Sequence, residues 1–188
     1  MTPAPNDPPS APAPARAHDH EERSFLPLGV CVLAVSDTRD LQSDASGAYL
    51  AEQLTAAGHG LAERDLVRDE VALIRAKVKG WAADPDIHAV IVTGGTGLFA
   101  RDVSPEALEP LFDKHMPGFG EMFRMLSWEE IGTATLESRA TAGVIDRTVV
   151  FLIPGSRGAC RTALEKLILP QLDSRTRPCS IGGMIDRL

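Results

Sequence analysis

Thr93-Gly94-Gly95-Thr96-Gly97-Leu98-Phe99-Ala100-Arg101-Asp102-Val103-Ser104-Pro105-Glu106-Ala107 is the stretch on which the reading of this chain turns. It follows Ala89-Val90-Ile91-Val92, an apolar run of the kind that forms a strand buried in a parallel sheet. Glycines at the carboxyl end of such a strand bring backbone N–H groups close to an anion, because no Cβ stands in the way. Ser104-Pro105-Glu106 reads as a helix start, with Ser104 as N-cap, proline at the first helical position and an acid in the first turn. Between glycines and helix, Arg101-Asp102 sets a cation beside a carboxylate. The plain alternative is an ordinary strand-to-helix connection with a capped helix. The density of glycine and charge here points instead to a phosphate site.

Upstream, Gly29 to Ser36 is a second apolar run and reads as the first core strand, with Ser36-Asp37-Thr38 at its carboxyl end, where open α/β sheets bind ligands. A simple Ser/Asp turn would look the same. Asp44-Ala45-Ser46-Gly47 starts a helix that Gly58 stops. Leu61 to Val67 is a more polar strand, nearer an edge. Val71, Ile74, Val78 and Trp81 then mark a helix by their spacing. Asp69, before that helix, reads as its N-cap or as a site carboxylate.

Downstream, the spacing predicts a short helix from Glu106 to about Phe112 and another over 119–131, with Phe119, Met122, Phe123, Leu126 and Met125 facing inward. Ser138-Arg139-Ala140-Thr141-Ala142-Gly143 is small and polar and falls between elements. Thr148 to Ile153 is a core strand running into Pro154-Gly155-Ser156 and a helix that Ser156 caps, a second anion-binding junction. After Leu172 the chain reads as an extended arm, residues 173–188. The Pro- and Ala-rich residues 1–23 read as a disordered tail, in which His18-Asp19-His20 is solvated. The domain lies between, over 24–172. Alternating strands and helices predict a three-layer α/β/α sandwich around a mostly parallel sheet.

Composition narrows the chemistry. The 188 residues hold one ordinary domain, and a net charge of −7 argues against a general binder of nucleic acid or anionic membrane. An anionic substrate must then be met by local cations, backbone amides or a metal. Cys31, Cys160 and Cys179 are widely spaced and show no metal-binding pattern, which fits a reducing cytoplasm. There is no GxxxxGK[ST], GxSxG or HExxH. Gly95 to Ala100 matches GxGxxA, but the helix start comes too late for a nicotinamide-binding turn. Ser36-Asp37, Asp69, Gly94 to Asp102 and Pro154-Gly155-Ser156 should gather at one sheet edge. Carboxylates beside an anion site make sense with Mg²⁺ between them and a polyphosphate.

Thr93-Gly94-Gly95-Thr96-Gly97 with Arg101 to Ala107 resembles the glycine signature of the MoaB/MogA family of molybdenum cofactor biosynthesis. Pro117 to Glu121, Ser138 to Gly143 and Pro154-Gly155-Ser156 fall where that family has comparable motifs. Gly120 to Arg124 and Gln171 to Ser180 look like its MoaB branch. The resemblance implies the family's molybdopterin-binding α/β fold and, in adenylylating members, molybdopterin and Mg²⁺-ATP as substrates, with adenylyl-molybdopterin and pyrophosphate as products. It implies that Asp69 and Asp102 are the catalytic, Mg²⁺-organising carboxylates. Ser36, Asp37, Gly94, Gly95, Thr96, Gly97, Ser138, Arg139, Pro154, Gly155 and Ser156 would bind substrate. It further implies a trimer or hexamer and a downstream molybdenum-insertion protein as partner. A non-catalytic molybdopterin-binding or delivery protein is the rival expectation.

Overall fold

The computed structural model describes residues 23–188, and within them six strands form one sheet. These are β1 (Gly29–Val35), β2 (Gly60–Val67), β3 (Ala89–Thr93), β4 (Lys114–His115), β5 (Thr141–Ile145) and β6 (Thr148–Ile153), in the order β2-β1-β3-β6-β5-β4. β2, β1, β3 and β6 are parallel, whereas β5 pairs antiparallel with β6 and β4 with β5. The three continuous apolar runs are the three central strands, covered on both faces. Polar β2 is an edge, as its sequence predicts.

Six α-helical segments complete the layers: α1 (Ala45–Ala56), α2 (Val71–Ala82), α3 (Ser104–Leu108), α4 (Pro117–Ile131), α5 (Arg157–Ala163) and α6 (Leu169–Leu172). A π-helical turn, Leu164–Ile168, joins the last two. Side chains alternate across a strand, so β1 feeds two cores. Val30 and Val32 pack with Leu50 and Leu54 of α1, Phe123 of α4 and Cys160 of α5. Cys31, Leu33 and Val35 pack with Ile74, Val78 and Trp81 of α2 and with Leu108 of α3. Each fully buried Leu, Ile or Phe contributes roughly 2 kcal/mol. The result is the expected α/β/α sandwich.

Several local expectations change. Ser138 to Gly143 leads into β5, a strand that neither an apolar run nor an alternating pattern announces. Small residues are required there, because a Cβ on Gly143 would run into the Phe112 ring. On α4 only Phe119 and Phe123 turn inward fully, while Met122 and Met125 are exposed, because the helix buries a narrow face. α3 ends at Leu108 and passes into a 3-10 turn, Glu109–Leu111.

The C-terminal stretch is not an extended arm. Ser174 Oγ donates to the Ser24 carbonyl and accepts from Leu26 N, and Ile185 joins the core within a 3-10 helix, Gly182–Arg187. The N-terminal tail, with its His18-Asp19-His20 run, lies outside the described residues apart from Arg23. Among the described residues no helix is long and apolar enough to cross a membrane.

Candidate functional site

Every parallel strand delivers its carboxyl end to the same edge: Ser36 after β1, Asp69 after β2, Gly94 after β3 and Pro154 after β6. β1 and β3 are neighbours, but the chain leaves β1 toward β2 on the other side, so the loops diverge and leave a crevice between them. A polar cavity of about 380 Å³ occupies this crevice. Ser36, Gly94 to Gly97, Asp102, Gly155 and Ser156 line it.

The glycine loop is held by what surrounds it. Ser104 does not cap α3; it is the first helical residue, and its hydroxyl donates to the Gly94 carbonyl at 2.8 Å. Gly95, at φ +64°, presses against Ser104 Oγ, and a Cβ there would also lie 2.9 Å from Asp69 Oδ1. A Cβ on Gly97 would lie 2.8 Å from Asp102 Oδ2. Two glycines therefore clear the space into which the two aspartates reach. Asp102 Oδ2 accepts from Phe99 N at 2.9 Å, which closes the loop. Asp102 sits on the cavity wall.

Asp69 does not cap α2, whose N-cap is Glu70 without a side-chain bond. Asp69 is buried behind the glycine loop, and its carboxyl pKa is raised, first by that burial and then by the charges of Asp37 and Asp102. It lines neither this cavity nor its neighbour. Arg101 pairs with Asp37 across the cleft, not with Asp102; the two contacts are both 2.8 Å. That pairing holds the Asp37 carboxyl below its usual range.

Arg139 is turned to the back of the loop. Its guanidinium donates to the Gly97 carbonyl at 3.0 Å and the Asp102 carbonyl at 2.7 Å, and pairs with Glu106. With its donors so engaged, Arg139 braces the glycine loop from outside both cavities. Ser156 caps α5 as expected, accepting from Ala159 N, and Ser46 Oγ ties α1 to the Gly155 carbonyl at 3.0 Å.

A second cavity of about 330 Å³ adjoins the first and shares Thr96, Gly97 and Ser156, and no carboxylate, with it. Ser138 and Pro154 line this second space, beside Phe123, Ile131 and Ala159. It is the less polar of the two. Sequence reasoning missed the α4 wall because Phe123 read as ordinary core and Ile131 only as the end of the helix. It also missed Arg39, the one basic side chain on the polar cavity among the described residues. Arg39 N bonds Ser36 Oγ in the same turn, and that proximity was the available signal.

Among the described residues no three His, Cys, Asp or Glu side chains gather to hold a metal. Two acids beside backbone amides suit Mg²⁺ that arrives with phosphate oxygens, since that ion uses one or two carboxylates and takes its other ligands from substrate and water.

The chain is 52% identical over 156 residues to molybdenum cofactor biosynthesis protein B of Escherichia coli K12, spanning 83% of this chain and 92% of that one. A crystal structure of a molybdenum cofactor biosynthesis protein B superposes with a TM-score of 0.80 at 39% identity, covering 88% of this chain and 98% of the other. The tungsten cofactor synthesizing protein MoaB from Pyrococcus furiosus gives a TM-score of 0.68 at 33% identity, over 86% and 94% of the two chains. Residues 31–174 match the model of a probable molybdopterin binding domain. By these matches the chain belongs to the MoaB/MogA family of molybdenum cofactor biosynthesis.

Proposed function

We propose that this protein adenylylates molybdopterin at the expense of Mg²⁺-ATP, giving adenylyl-molybdopterin and pyrophosphate. The observation that carries the reading is the pair of abutting cavities, one polar and one more apolar, which meet at Thr96, Gly97 and Ser156. Two substrates lying one in each would bring their phosphates together at the glycine loop. The terminal phosphate oxygen of molybdopterin attacks the α-phosphorus of ATP, and the bond to the β-phosphate breaks as pyrophosphate leaves with its electron pair. The nucleophile is already anionic, so no strong base is required. The obstacle is repulsion between two anions, and positioning with charge neutralisation answers it.

Bound Mg²⁺ would supply positive charge to the leaving pyrophosphate. Asp102, on the cavity wall, and buried Asp69 are the carboxylates that would hold it. Backbone amides of Gly95 and Gly97 would cradle phosphate, with Arg39 as local cation, whereas the Gly94 N–H is spent on the Ile153 carbonyl at 3.0 Å. Ser36, Thr96, Gly155 and Ser156 complete the polar wall. Asp37 and Arg139 serve by holding loops. We place the reaction in the cytoplasm, in a trimer or hexamer that passes its product to a molybdenum-insertion protein.

Binding without turnover is the second reading, and the placement of Asp69 behind the glycine loop, off the walls of both cavities, favours it. Purified protein mixed with molybdopterin and Mg²⁺-ATP decides between them. Adenylylated pterin at a catalytic rate supports the enzyme; molybdopterin binding with no product supports the carrier.

A further inference from the structure

The more apolar cavity carries two polar groups that neither packing nor phosphate chemistry explains. Ser127 lies on the inner face of α4, is 6% exposed and lines the cavity, yet its hydroxyl has no hydrogen-bond partner among the described residues. The hydroxyl opens onto the cavity with its donor and acceptor both free for a ligand. One helical turn further, Glu130 lines the same cavity. Residues three apart share a helix face.

The Glu130 carboxylate is positioned: Thr162 Oγ1 of α5 donates to its Oε1 at 2.6 Å, and the nearest cation, Lys166 Nζ, stands 4.0 Å away. Its other oxygen has no hydrogen-bonded partner among the described residues. Phe123, Ile131 and Ala159 supply the apolar walls. A flat heterocycle between such walls would meet an acceptor pair at one point and a hydroxyl at another.

From this arrangement we infer that Ser127 and Glu130 set base specificity in this cavity, selecting a fused 2-amino-4-oxopyrimidine. The inference rests on the reading of molybdopterin as substrate. A 2-amino-4-oxopyrimidine shows two adjacent donors, N3–H and the 2-amino group, and a carboxylate accepts both side by side. The neighbouring 4-oxo group accepts from a hydroxyl, the role open to Ser127. A 2,4-dioxo ring turns an oxygen toward the carboxylate in place of the amine, and the two acceptors repel. Occupation of this cavity by the pterin leaves the polar cavity, with Arg39 and the glycine amides, to the nucleotide phosphates.

Fluorescence titration with 6-carboxypterin and 6-carboxylumazine tests the assignment, because the two differ at the 2-position alone. The full-length protein should bind the pterin about tenfold more tightly than the lumazine, the size expected of a charge-assisted bond at a half-open site. Glu130→Gln keeps an acceptor for Thr162 but replaces one carboxylate oxygen with a donor, and should bring that ratio close to one. Ser127→Ala should weaken both ligands several-fold and leave the ratio intact, since both carry the 4-oxo group. A ratio that stays the same in Glu130→Gln, or a wild type that binds both pteridines equally, overturns the inference while leaving the pterin reading in place. Binding of neither pteridine, with Mg²⁺-ATP still bound, overturns the pterin reading and this assignment with it.

Discussion

Asp37 and Arg101 are 64 residues apart in sequence, and they join the loop after β1 to the glycine loop after β3 through two contacts of 2.8 Å. Asp37 Oδ1 also accepts from Asp69 N at 3.3 Å, so one carboxylate ties three strand ends together. The latch engages Arg101 with Asp37 and not with Asp102. Arg101 therefore leaves Asp102 free to meet a cation.

Breaking this latch should harm turnover more than stability. Both side chains are largely solvent-facing, and exposed ion pairs contribute little to folding. Asp37→Asn and Arg101→Ala should melt close to wild type but lower adenylyl transfer on the order of ten- to a hundredfold, through displacement of the loops. Melting curves alongside initial rates check this, and unchanged rates would show that the loops hold their places unaided.

Asp69→Asn should stabilise the fold while abolishing transfer. The folded-state pKa of Asp69 lies above the ordinary value of 3.8, so between those two values the folded chain holds a proton that the unfolded chain has lost. Stability associated with this group is full below about 3.8 and declines as pH rises through the folded value. The asparagine variant escapes that decline, and no helix cap is lost with it. Denaturant titrations at pH 4 and pH 7 should show the variant gaining on wild type at the higher pH. A variant less stable at pH 7 would count against a strained carboxylate.

His59 should make the protein acid-sensitive. It is buried, its Nδ1 accepts from Leu28 N at 3.3 Å, and burial lowers its pKa below 6.5 despite the nearby charge of Asp173. The unfolded chain takes up the proton first as pH falls, so His59 contributes fully above about 6.5 and loses that contribution below it. Wild type should lose melting temperature between pH 7.5 and 5.5, and His59→Asn should show a shallower loss over that window. Equal slopes would remove His59 from the account.

Met122, Met125 and Trp128 are all exposed on α4, apolar side chains that a monomer would leave in water. The protein should therefore assemble through this face. Light scattering at micromolar concentration should give a trimer or hexamer, and Trp128→Glu should shift it toward smaller species. A 20.1 kDa monomer for wild type would contradict this.

The sheet centre was legible because β1, β3 and β6 are continuous apolar runs, a pattern that only strands covered on both faces need. β5 was not, because Gly143 at its centre has to clear the Phe112 ring and so interrupts the strand pattern. At the site, the gathering of the loops after β1, β2, β3 and β6 at one sheet edge could be read from the order of strands and helices along the chain. The pairings of their side chains could not: Arg101 adjoins Asp102 in sequence, yet the fold gives it to Asp37. Ser104 and Asp69 look like caps by position, but each turns toward the glycine loop, where tertiary contacts outweigh the local preference. Ser127 and Glu130 gave no signal at all, since one hydroxyl and one acid on an amphipathic helix are unremarked until the cavity beside them is seen.

The rate of adenylyl transfer from Mg²⁺-ATP to molybdopterin, compared between wild type and Asp102→Asn, bears most directly on the proposed reaction. The substitution preserves size and the acceptor for Phe99 N but removes the negative charge from the cavity wall. A loss on the order of a hundredfold or more, with molybdopterin binding little changed, is the predicted result. Equal rates in the two proteins would contradict the mechanism, and binding without transfer in either would mark the protein as a carrier.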